Sequence, residues 1–498
     1  MTELPFLTRA RLFASNIALR TQARTHTYQQ LIDESAALAA VLRGSASDLG
    51  EARVALLVTP GFDYSVAQWA IWRAGGIVVP LCLSATAGEW EYALTDSQTT
   101  IVLVDADNAA RIQPVCQQLG VHMLTVGDLS LAPVAPSPLP ELAPSRRAMI
   151  LYTSGTTSKP KGVVSTHANI TAQIMCLVQA WEWREQDRIP LFLPLHHIHG
   201  IVNVVGCALW SGALVEPFAR FDVTTILDRV RARAYTLFMA VPTIYVKLIQ
   251  ALELANPEDR VAIIAGFSSM RLMVSGSAAL PASVHERWTA LTGQQLLERY
   301  GMTEIGMAIS NPMRGERRPG AVGMPLPGVD VRLKAEGGPV IAAEDEPGEI
   351  QVRGPGVFAA YWNRAEATAA SFEDGWFRTG DMAVLERGYY RIMGRLSVDI
   401  IKSGGYKLSA LEIEAALLEH PLVAECAVIG LPDDTWGEAV TAVCVLKSGA
   451  APFDLKALRE WCKDRLSFYK IPQQLRIVAE LPRNAMGKVT KPAVRALF

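Results

Sequence analysis

The chain has 498 residues, half of them hydrophobic and 19% charged, with 47 Lys and Arg against 49 Asp and Glu for a formal net charge of −2. This length is enough for several domains and a large buried core. The balanced charge, without a long basic block, excludes a nucleic-acid-binding tail, and no run of about 18 apolar residues marks a membrane span.

Seven scattered cysteines without a CxxC pair read as reduced core thiols. The opening stretch MTELPFLTRARLFASNIALR lacks the apolar core of a secretory signal. Its arginines leave a short mitochondrial leader open. Glu3 and the domain-like THTYQQLIDESAALAAVL argue against one, so a cytoplasmic protein is expected.

From the N-terminus, ARVALLV (52–58), GIVVPL (76–81) and TTIVLVD (99–105) read as buried strands, with a helix over SVAQWAIWRAG (65–75). Such alternation predicts a parallel sheet with helices on its faces. LAPVAPSPLPELAPS (131–145) is Pro-rich and reads as a surface connection. RAMILYT (147–153) is a strand; a Gly/Ser/Thr loop follows, then a helix from about His167. AYTLFMAVPTIYVKLIQAL (234–252) predicts strand, Pro break and helix, and the period-2 alternation of GVDVRLK and GEIQVRG (328–354) predicts a small antiparallel sheet. The texture changes near Gly394. SALEIEAALLEH (409–420) is an amphipathic helix with a Ser start, VAECAVIGL and AVTAVCVLK are strands, and DLKALREWCKDRL is a helix. About 100 residues of this kind form a plausible separate unit.

YTSGTTSKPKGVVSTH (152–167) carries the most chemistry. Its glycines, hydroxyls and two lysines, read as a strand-to-helix turn, can wrap an anionic group. It is not a Walker A loop, because Pro160 stands before Lys161-Gly162. YTSGTTSKPKG resembles the phosphate loop of the adenylate-forming superfamily of acyl-CoA synthetases, peptide-synthetase adenylation domains and luciferases. Further motifs of that family follow in order: RYGMTE (299–304) for nucleotide and magnesium, GWFRTGD (375–381) for ribose, GRLSVDIIKSGGYKLSALEIE (394–414) for hinge and CoA-facing strand, and LPRNAMGK (481–488) for the catalytic lysine. The resemblance spans essentially the whole chain. It implies an α/β fold: a large N-terminal domain (1–393) of parallel α/β sheets with a small β-barrel-like subdomain, a hinge (394–399), and a small mobile α+β C-terminal domain (400–498).

The implied reaction joins a carboxylic acid to coenzyme A with ATP and Mg²⁺. A carboxylate attacks the α-phosphate of ATP, pyrophosphate leaves, and a thiol then displaces AMP. The first step sets negative charges against each other, so the site must supply cations. By the resemblance, Lys488 bridges carboxylate and α-phosphate, and Glu304 holds Mg²⁺ beside Thr303. Thr153, Ser154, Gly155, Thr156, Thr157 and Lys161 hold the pyrophosphate. Tyr300, Gly301 and Met302, with Ser277 and Ala278 of the loop SGSAAL, surround the nucleotide, while Asp381 and Arg395 meet the ribose. Lys402, Ser403, Gly404 and Gly405 face CoA. GRLSVDIIK is one residue longer than the commonest hinge pattern; the pivot is Ser397, Val398 or Asp399, with Ser397 favoured.

An acyl pocket for fatty or aromatic acids has no use for Arg299. An unpaired guanidinium there costs several kcal/mol. Either it pairs within the protein, Glu298 being the nearest acid in sequence, or it meets an anionic group of the substrate. Lys247 in VPTIYVK and His197 and His199 in PLHHIHG (194–200) fall near the same pocket by family placement. His197 would gate it. The histidines lack a fourth ligand at zinc spacing, so a metal is not expected there. These features resemble the malonyl-CoA synthetase branch, with Arg299 clamping a second carboxylate, His199 and Lys247 helping, and Met324 walling the central carbon. Methylmalonate is a second candidate substrate. Rival readings are a monocarboxylate synthetase with Arg299 structural, a stand-alone amino-acid-activating enzyme, and a non-catalytic nucleotide binder. No GGxS carrier segment follows Lys488, and Lys161, Glu304, Asp381 and Lys488 are all present. No nucleic acid, membrane or obligatory protein partner is expected.

Overall fold

In the computed structural model, residues 3–21, 24–127, 139–153, 159–404, 406–483 and 489–498 are described. The apolar runs of the first third become strands buried on both faces. Arg147–Thr153, Ile77–Pro80, Arg53–Leu57, Ile101–Val104 and His122–Thr125 lie side by side, all parallel. The connecting helices start where the sequence offers caps. Thr86 and Glu89 form a reciprocal capping box, and the Asp105 carboxylate accepts the Asn108 N–H.

The loop 154–160 does not lead straight into the helix expected from about His167. It joins Arg147–Thr153 to an antiparallel strand, Lys161–Thr166, and only then does helix His167–Ala180 begin, capped by Thr166 and Asn169. Val163 and Val164 are both buried. The β-branched run therefore has a core to fill on each face of the sheet, which favours extended backbone over helix. Ala360–Tyr361 pairs antiparallel with this strand and closes the seven-stranded sheet.

A second sheet runs Leu237–Ala240, Leu272–Ser275, Leu297–Met302, Gly306–Ser310 and Met324–Pro325. Its first three strands are parallel and the rest antiparallel. The β-barrel-like part is an open six-stranded antiparallel sheet containing Asp330–Lys334, Gly348–Arg353, Trp376–Glu386 and Tyr389–Arg395. Beyond it, Ile400–Ser403, Tyr406–Ser409, Val423–Asp433, Gly437–Leu446 and Gln474–Ile477 form a five-stranded sheet. This last sheet has its own apolar core, with Ile401, Ile413, Leu417, Val440 and Leu458. The Ser409 hydroxyl caps helix Ala410–Leu418 by accepting the Glu412 N–H. Residues 131–138 of the Pro-rich connection (131–145) lie outside the described residues. Among the described residues no helix is long and apolar enough to cross a membrane.

Candidate active site

The C-terminal ends of the parallel strands and the turns of the second sheet converge on one region, the usual place for ligand chemistry in an open α/β fold. Thr153 and Lys161 face each other across the hairpin, with the Thr153 hydroxyl 3.4 Å from the Lys161 carbonyl. Ser154, Gly155, Thr156 and Thr157 lie outside the described residues. Lys161 has its Nζ 4.9 Å from the centre of the Tyr361 ring. The Tyr361 hydroxyl in turn donates to Glu304 Oε1 at 2.9 Å.

Thr303 and Glu304 sit in the turn between Leu297–Met302 and Gly306–Ser310. Glu304 is buried, and burial raises the pKa of its carboxyl. It makes no ion pair among the described residues, and its side-chain partner there is a neutral donor, the Tyr361 phenol. An uncompensated buried carboxylate with hard oxygen donors suits a divalent cation. Tyr361 carried no signal in the sequence reading.

Tyr300, Gly301 and Met302 end the strand. The Tyr300 hydroxyl donates to Asp381 Oδ2 at 2.6 Å and Arg395 Nε donates to Asp381 Oδ1 at 3.0 Å. Strand register places Asp381 directly opposite Arg395. The ribose candidates are thus held together by the protein's own hydrogen bonds. Carboxylate oxygens have two acceptor directions each, so Asp381 keeps capacity for further donors. Ala278 and Ser277 are exposed on the loop after Leu272–Ser275.

Behind that loop lie Arg299 and His199. Arg299 is 4% exposed, and no carboxylate forms an ion pair with it among the described residues. Its Nη2 is 3.5 Å from the Ser277 hydroxyl, while its Nε has no hydrogen-bond partner. Burial lowers the pKa of Arg299 to about 10, so it remains a cation at neutral pH. His199 Nδ1 is 3.1 Å from the same Ser277 hydroxyl and its Nε2 is unpartnered. Burial, reinforced by the Arg299 charge, pushes the His199 pKa well below its ordinary value, so this ring offers a neutral hydrogen bond. Gly276 makes room: a Cβ there would stand 2.4 Å from the Arg299 guanidinium carbon. His199 opens a π-helical stretch, His199–Gly206, an irregularity frequent at functional sites. His197 is half-buried, its ring against that of His196 at 4.2 Å between centres.

The alternative partner for Arg299, Glu298, is excluded by strand geometry. Successive side chains point to opposite faces. Glu298 Oε1 accepts the Leu280 N–H at 3.1 Å and Oε2 is unpartnered. Burial raises the pKa of this carboxyl to about 8, against an ordinary value of 4.5. The folded chain therefore keeps a proton that the unfolded chain releases, and stability should fall as pH rises from about 4.5 to about 8. Glu298→Gln should flatten that fall, gaining melting temperature over wild type at pH 8 relative to pH 5. Parallel melting curves at all pH values would show the native carboxyl to be ionised.

Two further residues expected at the pocket lie outside the buried cluster. Lys247 does not join the buried cluster. Ile244, Tyr245, Leu248, Ile249 and Leu252 form the buried face of helix Pro242–Leu254, which turns Lys247 outward, where it is exposed. Met324, expected to wall the central carbon, is 38% exposed on the edge strand. Register does align Arg299 with Ser310 and Ser310 with Met324, so all three share one sheet face.

In the C-terminal unit, Lys402 and Lys407 both reach Glu336 of the preceding sheet, at 3.6 and 2.8 Å. These are exposed pairs that contribute little, about 0–1 kcal/mol each. Ser403 is buried, and Gly404 has φ +58 with the Trp436 ring where a Cβ would point. Gly405 and Lys488 lie outside the described residues. In the hinge turn, Asp399 Oδ2 accepts the Arg395 N–H at 3.0 Å, and Asp399 Oδ1 pairs with Lys491 at 2.6 Å. Ser397 shows no such tie among the described residues.

The AMP-binding enzyme family model matches residues 6–362, and that for the AMP-binding enzyme C-terminal domain matches residues 412–488. The mitochondrial malonate–CoA ligase of Bos taurus is 44% identical over 531 residues, covering 99% of this chain and 90% of the relative. The malonate–CoA ligase of Arabidopsis thaliana is 39% identical, over 96% of this chain and 86% of the relative. Among solved structures, ATP-bound MatB from Rhodopseudomonas palustris superposes with a TM-score of 0.88 at 35% identity, covering 99% of both chains. On matches of this extent, the chain belongs to the AMP-binding enzyme family and, within it, to the malonyl-CoA synthetase branch.

Proposed function

We propose that this chain ligates malonate to coenzyme A through malonyl-adenylate, consuming ATP and releasing AMP and pyrophosphate. The observation that carries the malonate assignment is Arg299, a buried cation without a carboxylate partner among the described residues and with an unpartnered Nε. A buried charge of this kind costs several kcal/mol unless a counter-charge meets it. The second carboxylate of malonate supplies that counter-charge, with Ser277 and neutral His199 adding hydrogen bonds. Names of the relatives point the same way.

In the first step a malonate oxygen attacks the α-phosphorus of ATP. The bond to the β-phosphate breaks and pyrophosphate leaves. Lys161 and the loop hydroxyls receive the pyrophosphate, Glu304 would hold Mg²⁺, and Asp381 and Arg395 orient the ribose. The magnesium ion supplies charge neutralisation at the phosphates when bound. Lys488 is the cation between the two reacting anions. In the second step the CoA thiolate, led past Ser403 and Gly404 at the end of strand Ile400–Ser403, attacks the acyl carbon, and AMP leaves. For this step the unit from Ile400 onward turns about the 394–399 segment. The test is product analysis: malonate, ATP and CoA should give malonyl-CoA, AMP and pyrophosphate in equal amounts. ADP and orthophosphate as products would overturn the adenylate route.

A further inference from the structure

Tyr361 occupies a position that no motif marked. It is 8% exposed, and its two ends do different things. The hydroxyl donates to Glu304 Oε1 at 2.9 Å, and the ring face lies 4.9 Å from Lys161 Nζ. The backbone around it is strapped to both partners. The Trp362 N–H donates to the Gly162 carbonyl at 2.7 Å, the Ala359 N–H to the Val164 carbonyl at 2.9 Å, and the Phe358 N–H to the Glu304 carbonyl at 2.7 Å. The Tyr361 N–H itself is taken by the Thr368 hydroxyl at 3.0 Å, and the Phe358 ring packs edge-on at 4.7 Å. The side chain is therefore fixed by short contacts on several sides, while it bridges two turns that come from different sheets.

From this we infer that Tyr361 is a positioning residue that locks Glu304 and Lys161 into one phosphate-handling unit, its phenol orienting the carboxylate and its ring face seating the ammonium. The inference rests on the roles given above to Glu304 and Lys161. The donated hydrogen bond occupies one oxygen of Glu304, so the other would be the one available to a bound cation. A bond from a neutral donor to a carboxylate also satisfies one of its oxygens without supplying a rival positive charge. The ring offers Lys161 a cation–π surface, which holds the ammonium without neutralising it. A lysine held by a carboxylate would lose much of its attraction for a leaving pyrophosphate; one held by a ring keeps it.

The two ends can be separated by substitution. Tyr361→Phe keeps the ring and removes the hydroxyl; Tyr361→Leu removes both. The measurements are calorimetric titrations of the full chain with ATP, with and without Mg²⁺, and with Mg²⁺-free pyrophosphate, beside melting temperatures. Tyr361→Phe should lose about tenfold of the Mg²⁺-dependent gain in ATP affinity, the scale of one hydrogen bond to a charged group. Its Mg²⁺-free ATP and pyrophosphate affinities should equal those of wild type. Tyr361→Leu should in addition weaken pyrophosphate binding several-fold. If Tyr361→Phe retains the full Mg²⁺ gain, or if both variants lose all affinities in proportion to their melting temperature, Tyr361 is packing alone and the inference is wrong. Glu304→Gln separates this from the underlying reading. Loss of the Mg²⁺ gain in Glu304→Gln but not in Tyr361→Phe overturns only the role of Tyr361. A full gain in Glu304→Gln overturns the assignment of Glu304 itself.

Discussion

Arg299→Ala should reduce kcat/KM for malonate by a factor corresponding to about 2–5 kcal/mol, the range for removing one side of a buried charged pair. The same change should spare propionate, or improve it relative to malonate. In wild type, propionate would put a methyl group against a buried cation; in the variant that cation is gone. The structure sharpens this expectation. Arg299 has no carboxylate partner to be orphaned by the change among the described residues, and the atoms left behind are the Ser277 hydroxyl and the neutral His199 ring. A scaffolding role predicts otherwise: a drop in melting temperature and equal loss on every acid.

Lys488→Ala should lower pyrophosphate release by on the order of 10²–10³-fold, the scale for removing one stabiliser of developing charge. Conversion of supplied malonyl-AMP and CoA to thioester should continue near the wild-type rate. The reason is chemical: Lys488 is assigned to the bridge between the attacking carboxylate and the α-phosphate, and only the first step joins those two groups. Assaying the half-reactions separately decides it, and equal loss in both would contradict a C-terminal unit that presents different faces in the two steps.

Much of this was legible in the sequence because buried parallel strands announce themselves as continuous apolar runs, and because anion-handling loops need particular residues at particular spacings. The parts that were not legible have physical reasons. KGVVST after a Gly-Ser-Thr loop is too short to show a period, so the hairpin strand Lys161–Thr166 passed for a helix approach. Lys247 was placed near the pocket by the family resemblance; the apolar positions 244, 245, 248, 249 and 252 form the buried face of its helix and leave Lys247 exposed. For Arg299 and Glu298, neighbours in one strand, alternation alone separates the two side chains, and the structure shows each buried without the other. Ser277 was read as a nucleotide contact, and only three-dimensional placement shows it touching both His199 and Arg299 from a backbone at φ +70. Tyr361 could not be found from sequence at all. Its significance lies in bridging two segments 57 residues apart in the chain at the hydroxyl end, and a tyrosine among apolar neighbours reads as core.

The central claim is that a buried, unpaired arginine selects a dicarboxylate. Its most direct test is the ratio of kcat/KM for malonate to kcat/KM for propionate in the wild-type chain, measured by pyrophosphate release with saturating ATP and Mg²⁺. The two acids differ at the far end by a carboxylate against a methyl, so the ratio reads the arginine pocket and little else. The account predicts a ratio above about 30, the factor that corresponds to about 2 kcal/mol, the lower end of what one buried charged contact contributes. A ratio near or below unity, or a higher kcat/KM for any monocarboxylate, would contradict it.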